Sequence, residues 1–289
     1  KTVEYAYDDW TIARMAERLG RADVAREFDR RAGFWRNTFD ADSGFVRARL
    51  ADGSYREPFD PVAINYGSDY TEGNAWQYSW FVPQDMASLV TAMGGDRATV
   101  AKLDAMFDYD NTGLDYSHAE DIAGLIGQYI HGNEPSHHSA YAYVFAGAPW
   151  RTQARLKQIM DTQYHSGPAG LAGNDDVGQM SAWLMFTAMG FYPVTPASGQ
   201  YVIGRPFVER AVLNLPNGKT FTISTDGLAD TNLYVQSVTL NGQPLNRTWI
   251  GHDEIQAGGA LHFVMGAEPN LSWGTTAAER PYAMSGYGQ

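Results

Sequence analysis

The chain of 289 residues carries 21 Lys and Arg against 33 Asp and Glu, a formal net charge of −12, and no cysteine. That charge sets its surface against phosphate backbones and makes nucleic acid a poor partner, while the absent thiols exclude disulfides, cysteine nucleophiles and thiolate-held metal centres. With 44% hydrophobic and 19% charged residues it has the balance of a folded protein, long enough for two domains.

Helical spacing of Val3, Ala6, Trp10, Ala13 and Ala16, stopped by Gly20, predicts a first helix, and Ala22, Ala25, Phe28, Ala32 and Trp35 predict a second, together a helical hairpin. A turn-rich loop over 40–60 follows, then an aromatic helix from Asn74 to Pro83, ended for good at Gly94-Gly95. Asp96 is the expected N-cap of a helix reaching Phe107, and further helices are expected over 121–129, 138–145, 152–164 and 178–189. The period changes after Phe191-Tyr192-Pro193. Runs at 201–203, 211–215, 220–225, 234–240 and 261–265 read as strands, separated by Asn217-Gly218, Asp226-Gly227, Asn241-Gly242 and Gly258-Gly259. The expected organisation is mainly α over residues 1–191, followed by a small antiparallel β-rich region over 192–289. The longest apolar stretch, Trp183 to Val194, falls short of the ~20 residues of a membrane span, and the first residues do not have the form of a secretory signal.

Three polar segments lie among aromatics and glycines. In Asp69-Tyr70-Thr71-Glu72-Gly73-Asn74-Ala75-Trp76-Gln77-Tyr78, Thr71 and Asn74 read either as helix caps or as neighbours of Glu72, an acid whose pKa desolvation beside Trp76 would raise. In His131-Gly132-Asn133-Glu134-Pro135-Ser136-His137-His138, Pro135 interrupts the helix that a two-histidine zinc site needs. Oxygen donors such as Asn133 and Glu134 suit a hard cation like calcium better, and the paired histidines also read as a hydrogen-bonded cap. In Gly173-Asn174-Asp175-Asp176-Val177-Gly178, adjacent carboxylates read either as helix-start anions or as a pair able to serve one reacting water. One acid, Glu72, and one base, drawn from Asp175 and Asp176, form the inventory of a glycosidase. Two other readings use the same residues: a zinc hydrolase built on His131, Glu134 and His137 or His138, and a non-catalytic carbohydrate-binding subunit whose aromatics stack on sugars.

Tyr5-Ala6-Tyr7-Asp8-Asp9-Trp10, the segment from Tyr70 to Tyr78, Gly127-Gln128-Tyr129 with His131 to His138, and Gly173 to Asp176 with Gly178-Gln179-Met180-Ser181-Ala182-Trp183 resemble glycoside hydrolase family 92, in the family's order. The resemblance implies a calcium-dependent, inverting exo-α-mannosidase, α-1,2 in many members, with a catalytic (α/α)6 barrel behind an N-terminal β sandwich. It implies that Glu72 is the general acid and that Asp175 and Asp176 are the pair supplying the base. Asn133 and Glu134 would hold calcium, while Asn74, Trp76, Gln77, His137 and His138 would line the mannose pocket. A barrel of this type has twelve helices and about eight are predicted here. The chain is thus expected to be the C-terminal portion of a longer enzyme, inactive alone and bound to its N-terminal portion. A mannose-containing glycan as substrate implies a secreted, periplasmic or cell-surface location. Asn246-Arg247-Thr248 is a glycosylation sequon that matters only in a eukaryotic secretory host.

Overall fold

Helices α1 (Thr2–Arg18) and α2 (Ala22–Ala32) form the expected antiparallel hairpin, turned at Gly20 with φ +70°. Val3, Ala6, Trp10, Ala13 and Ala16 are the buried stripe of α1, and its alanines let α2 approach closely. Buried Asp9 pairs with Arg31 at 2.9 Å, and Arg14 pairs with Asp29. The second helix ends at Ala32, short of the predicted Trp35, and continues as a 3-10 turn over Phe34–Asn37. A second apolar stripe of α1 faces outward: Tyr5, Ile12, Met15 and Leu19 are 59, 42, 60 and 69% exposed.

This hairpin belongs to one of two compact units, Lys1–Ser139 with Ala283–Gly286; the other is Ala140–Tyr282 with the residues from Tyr287 onward. The structure, a computed structural model, describes residues 1–64, 69–119 and 122–287. In the first unit, β1 (Phe39–Asp40) pairs with β2 (Phe45–Val46). The predicted aromatic helix is a single turn, α3 (Ala75–Tyr78), followed by a 3-10 turn at Pro83–Asp85 and then α4 (Met86–Ala92). Helix α5 (Asp96–Phe107) is capped by Gly95 at φ +93°, so Asp96 is its first residue instead of its cap.

The helix expected over 121–129 is absent: Asp121 lies outside the described residues, and beyond it β3 (Leu125–Ile126) and β4 (Tyr129–Ile130) form a hairpin. Gly124 and Gly127, at φ +68° and +56°, are left-handed, which no continuous helix allows. At Gly127 a Cβ would stand 2.3 Å from the Met106 carbonyl, so only glycine fits. The C-terminal segment of this unit is clipped to Asp85, a fully buried carboxylate that accepts from Arg36 at 2.7 Å and from the Ser285 amide at 3.1 Å.

The second unit contains α6 (Ala142–Phe145), α7 (Pro149–Gln163), which starts on a proline, and α8 (Gln179–Ala188). Strands follow: β5 (Phe191–Tyr192), β6 (Gln200–Ile203), β7 (Arg210–Asn214), β8 (Thr220–Asp226), β9 (Tyr234–Leu240), β10 (Gln243–Pro244), β11 (Trp249–Gly251) and, after α9 (His252–Gln256), β12 (Gly259–Gly266). They form a three-stranded sheet, β11-β6-β5, and a five-stranded sheet, β10-β9-β12-β8-β7. All ladders but one are antiparallel as expected. The exception corrects the expectation: β12 runs parallel to β8, from Gly259 opposite Phe221 to Val264 opposite Asp226. The chain returns through β11 and α9 before entering β12, which gives the crossover that parallel neighbours need. Phe221, Ile223, Val238, Leu261 and Phe263 fill the core on one face, the period-2 alternation that made these strands legible.

Candidate active site

The Glu72 segment is built by its neighbours. Asn74 caps α3: its Oδ1 accepts from the Trp76 amide at 2.9 Å, and Gln77 Oε1 accepts from the Asn74 amide at 2.7 Å. The remaining amide protons are also used within the protein. Asn74 Nδ2 donates to Gln128 Oε1 at 2.8 Å and to the Val62 carbonyl at 3.2 Å, and Gln77 Nε2 donates to the Gln128 carbonyl. Gln128 Nε2 in turn donates to Asn111 Oδ1 at 2.7 Å. Of the residues expected to line a pocket, Asn74, as the capping reading anticipated, and Gln77, which that reading did not include, are therefore buried and hold the turn. Gln128 is the hub of this network, a role the sequence analysis did not assign although Gly127-Gln128-Tyr129 was among the motifs that carry the resemblance.

Glu72 itself sits in the left-handed region at φ +53° and is exposed. The desolvation expected beside Trp76 is not supplied there, because the left-handed turn carries Glu72 outward while Trp76 turns in. Trp76 is 8% exposed and meets Phe45 edge-on at 4.9 Å and Tyr109 at 5.8 Å.

Asn133 is buried, and its Nδ2 donates to the Glu72 carbonyl, which joins the second motif to the first. Its Oδ1, the carbonyl oxygen of the amide, is the atom of Asn133 able to ligate a hard cation. Glu134 opens the 3-10 turn Glu134–Ser136 with Pro135, and is half-buried. The histidines are structural in their contacts. His137 Nε2 donates to the His131 carbonyl at 2.9 Å, His138 Nε2 to the Trp80 carbonyl at 2.6 Å, and His131 Nδ1 meets the Tyr129 hydroxyl at 2.8 Å. Burial pushes His131 down to about 2, with His137 adding to it, and His138 down to about 4, so both are neutral near pH 7. Among the described residues no three His, Cys, Asp or Glu side chains group as a metal site, so the zinc alternative on His131, Glu134 and His137 or His138 is not assembled. A hard cation asks for oxygen donors, and Asn133 Oδ1 with the Glu134 carboxylate is a donor pair of that kind.

Asp175 and Asp176 lie in the second unit, before α8. Asp175 is half-buried; its Oδ1 accepts from the Ser181 amide at 2.9 Å and its carbonyl from the Met180 amide at 3.1 Å, which ties it to the first turn of the helix. Asp176 is exposed at φ +46°, followed by Val177 at +58° and Gly178 at +91°. Two consecutive non-glycine residues in this region, one β-branched, are a strained arrangement of the sort found where function fixes the backbone. Tyr164 packs behind the segment, stacked on Trp183 at 5.9 Å and donating to the Met180 carbonyl.

Residues 1–267 match the glycosyl hydrolase family 92 catalytic domain, and the chain belongs to that family. It is 38% identical to the alpha-mannosidase BT3965 from Bacteroides thetaiotaomicron, solved with mannoimidazole, at a TM-score of 0.94 over 99% of this chain and 39% of that one. The inverting mannosidase BT2199 from the same organism gives 41% identity and a TM-score of 0.88, again over 99% of this chain and 39% of that one. An uncharacterized secreted glycosidase of Arthroderma benhamiae is 32% identical over 97% of this chain. The chain spans 37% of that curated relative's length.

Proposed function

We propose that the chain carries the catalytic residues of an inverting, calcium-dependent exo-α-mannosidase of α-1,2 preference. The observation that carries this is the Asn133–Glu72 hydrogen bond, which joins the segment bearing the acid to the segment bearing oxygen donors. Glu72 protonates the leaving glycosidic oxygen from an exposed carboxyl. One carboxylate of the Asp175–Asp176 pair takes the proton of the attacking water. Asp175, bound to the α8 amide, orients the segment, and Asp176 has the more open carboxylate. Trp76, mostly buried against Phe45 and Tyr109, offers the sugar the small part of its indole left exposed, His137 and His138 also line the pocket, and Asn74 and Gln77 fix the turn. Calcium, held by Asn133 and Glu134, would polarise neighbouring sugar hydroxyls.

That the structural neighbours are mannosidases supports the substrate, and the secreted relative supports an extracellular location. The outward stripe of Tyr5, Ile12, Met15 and Leu19 supports a further part of the protein, the rest of an (α/α)6 barrel and an N-terminal β sandwich, lying on α1. The test is NMR of the first sugar released by the full-length enzyme from linkage-defined mannobiosides. β-Mannose released first, fastest from the α-1,2 substrate, is the expected result; α-mannose first, or binding without turnover, refutes the reading.

A further inference from the structure

We propose that Lys102 is a positioning residue for Trp76, its ammonium group fixing the pose of the indole. The proposal rests on the reading of Trp76 as a sugar-facing wall. Lys102 projects from α5 into the corner where two rings meet at 86°: its Nζ lies 3.4 Å from the Phe45 ring centre and 5.3 Å from that of Trp76. Gly44, at φ +69°, leaves room for it, since a Cβ there would come within 3.1 Å of Nζ. Among the described residues Lys102 makes no hydrogen bond and no ion pair, so its strongest contacts are the ring faces. The Trp76 indole N–H is likewise buried without an acceptor. No hydrogen bond sets the direction of the ring; the neighbouring faces and the cation do.

The contact depends on charge. Burial alone lowers the Lys102 amine to about 8. The other ionisable groups on the elements around it are Asp96, Arg97 and Asp104 on α5, Asp40 at the end of β1 and Asp42 in the turn after it, Arg47 after β2, Tyr78 on α3, and Tyr109 against Trp76; none pairs with the amine. Asp40 is bound to Arg47 and Tyr78 to the Thr71 carbonyl. As the amine loses its proton, the attraction to the rings is lost.

The experiment uses the full-length enzyme labelled with 5-fluorotryptophan, the Trp76 resonance being identified by its loss in Trp76→Phe. The wild-type resonance is expected to titrate with a midpoint near the Lys102 value. In Lys102→Met it stays constant, and in Lys102→Arg it holds the low-pH position throughout. Lys102→Met is expected to raise KM for an α-mannoside about fivefold with little change in kcat, and Lys102→Arg to restore most of it. A resonance that does not titrate in the wild type, or titrates equally in Lys102→Met, overturns the proposal, as does an arginine variant as impaired as the methionine one. A resonance that behaves as expected while KM is unchanged in both Trp76→Ala and Lys102→Met supports the coupling of the two side chains and overturns the sugar-wall reading instead.

Discussion

Acid should unfold the first unit through His138, by an amount that follows from its surroundings. Its Nε2–H donates to the Trp80 carbonyl at 2.6 Å, its ring stands edge-on to Phe81 at 5.6 Å, and burial holds its pKa at about 4. In the unfolded chain the same group titrates near ~6.5. The unfolded state therefore takes up a proton first as the pH falls, so stability is full above the unfolded value, declines between about 6.5 and 4, and levels off below. Over pH 7 to 5 this one side chain should cost about 2 kcal/mol. Urea unfolding at both pH values, for the parent chain and for His138→Gln, measures it. Gln keeps a donor for the Trp80 carbonyl but cannot titrate. His131, shifted in the same direction, is present in both proteins and cancels in the comparison. Asp40, whose burial is outweighed by its bonds from Arg47 and the Asp42 amide, lies below the usual carboxylate range and titrates outside this window. The parent should lose about 2 kcal/mol more than the variant; equal pH dependence for the two would show that His138 accepts a proton in place and would refute the argument.

Four further outcomes follow from the geometry. Glu72→Gln should cut turnover of alkyl mannosides by about 10²–10⁴-fold and spare dinitrophenyl mannoside, whose leaving group needs no proton; equal losses on both would remove Glu72 as the acid. Verified removal of calcium should lower kcat/KM, and re-addition should restore it; no change would deny Asn133 and Glu134 the cation role. Asp85→Ala should cost about 2 kcal/mol by leaving the Ser285 amide and hydroxyl without their acceptor, and the amides of Met284 and Ser285 should exchange much faster. Gly127→Ala should destabilise by about 2 kcal/mol or more in thermal melts, since it needs φ +56° and meets the Met106 carbonyl.

The parts of the fold that were legible are those where one period governs a long run. α1 buries the residues its spacing picked out, and β8 and β12 alternate as half-buried strands do. Short elements were misread for a common reason: their shape is set by distant partners. The stretch after Asp121 has apolar residues enough for a helix, but two left-handed glycines and the carbonyls of α5 make it a hairpin. The parallel ladder of β12 depends on the route of the chain, which no local pattern records. At the site, the motifs located Glu72, Asn133 and Asp175 on turns. They could not show that Asn74 and Gln77 spend their amides on Gln128, or that Lys102, one ordinary residue in a helix pattern, comes to rest against Phe45 and Trp76.

The borders of the five-stranded sheet bear on how the molecule behaves when crowded. One rim is β10, two residues long, where Pro244 has no amide hydrogen to offer; the other is β7, which begins with the exposed charge of Arg210. Neither rim is a template for a foreign strand. When the part proposed to cover α1 is removed, self-association at high concentration is thus steered away from fibril growth and toward amorphous, detergent-reversible clustering through the greasy flank of Tyr5, Ile12, Met15 and Leu19.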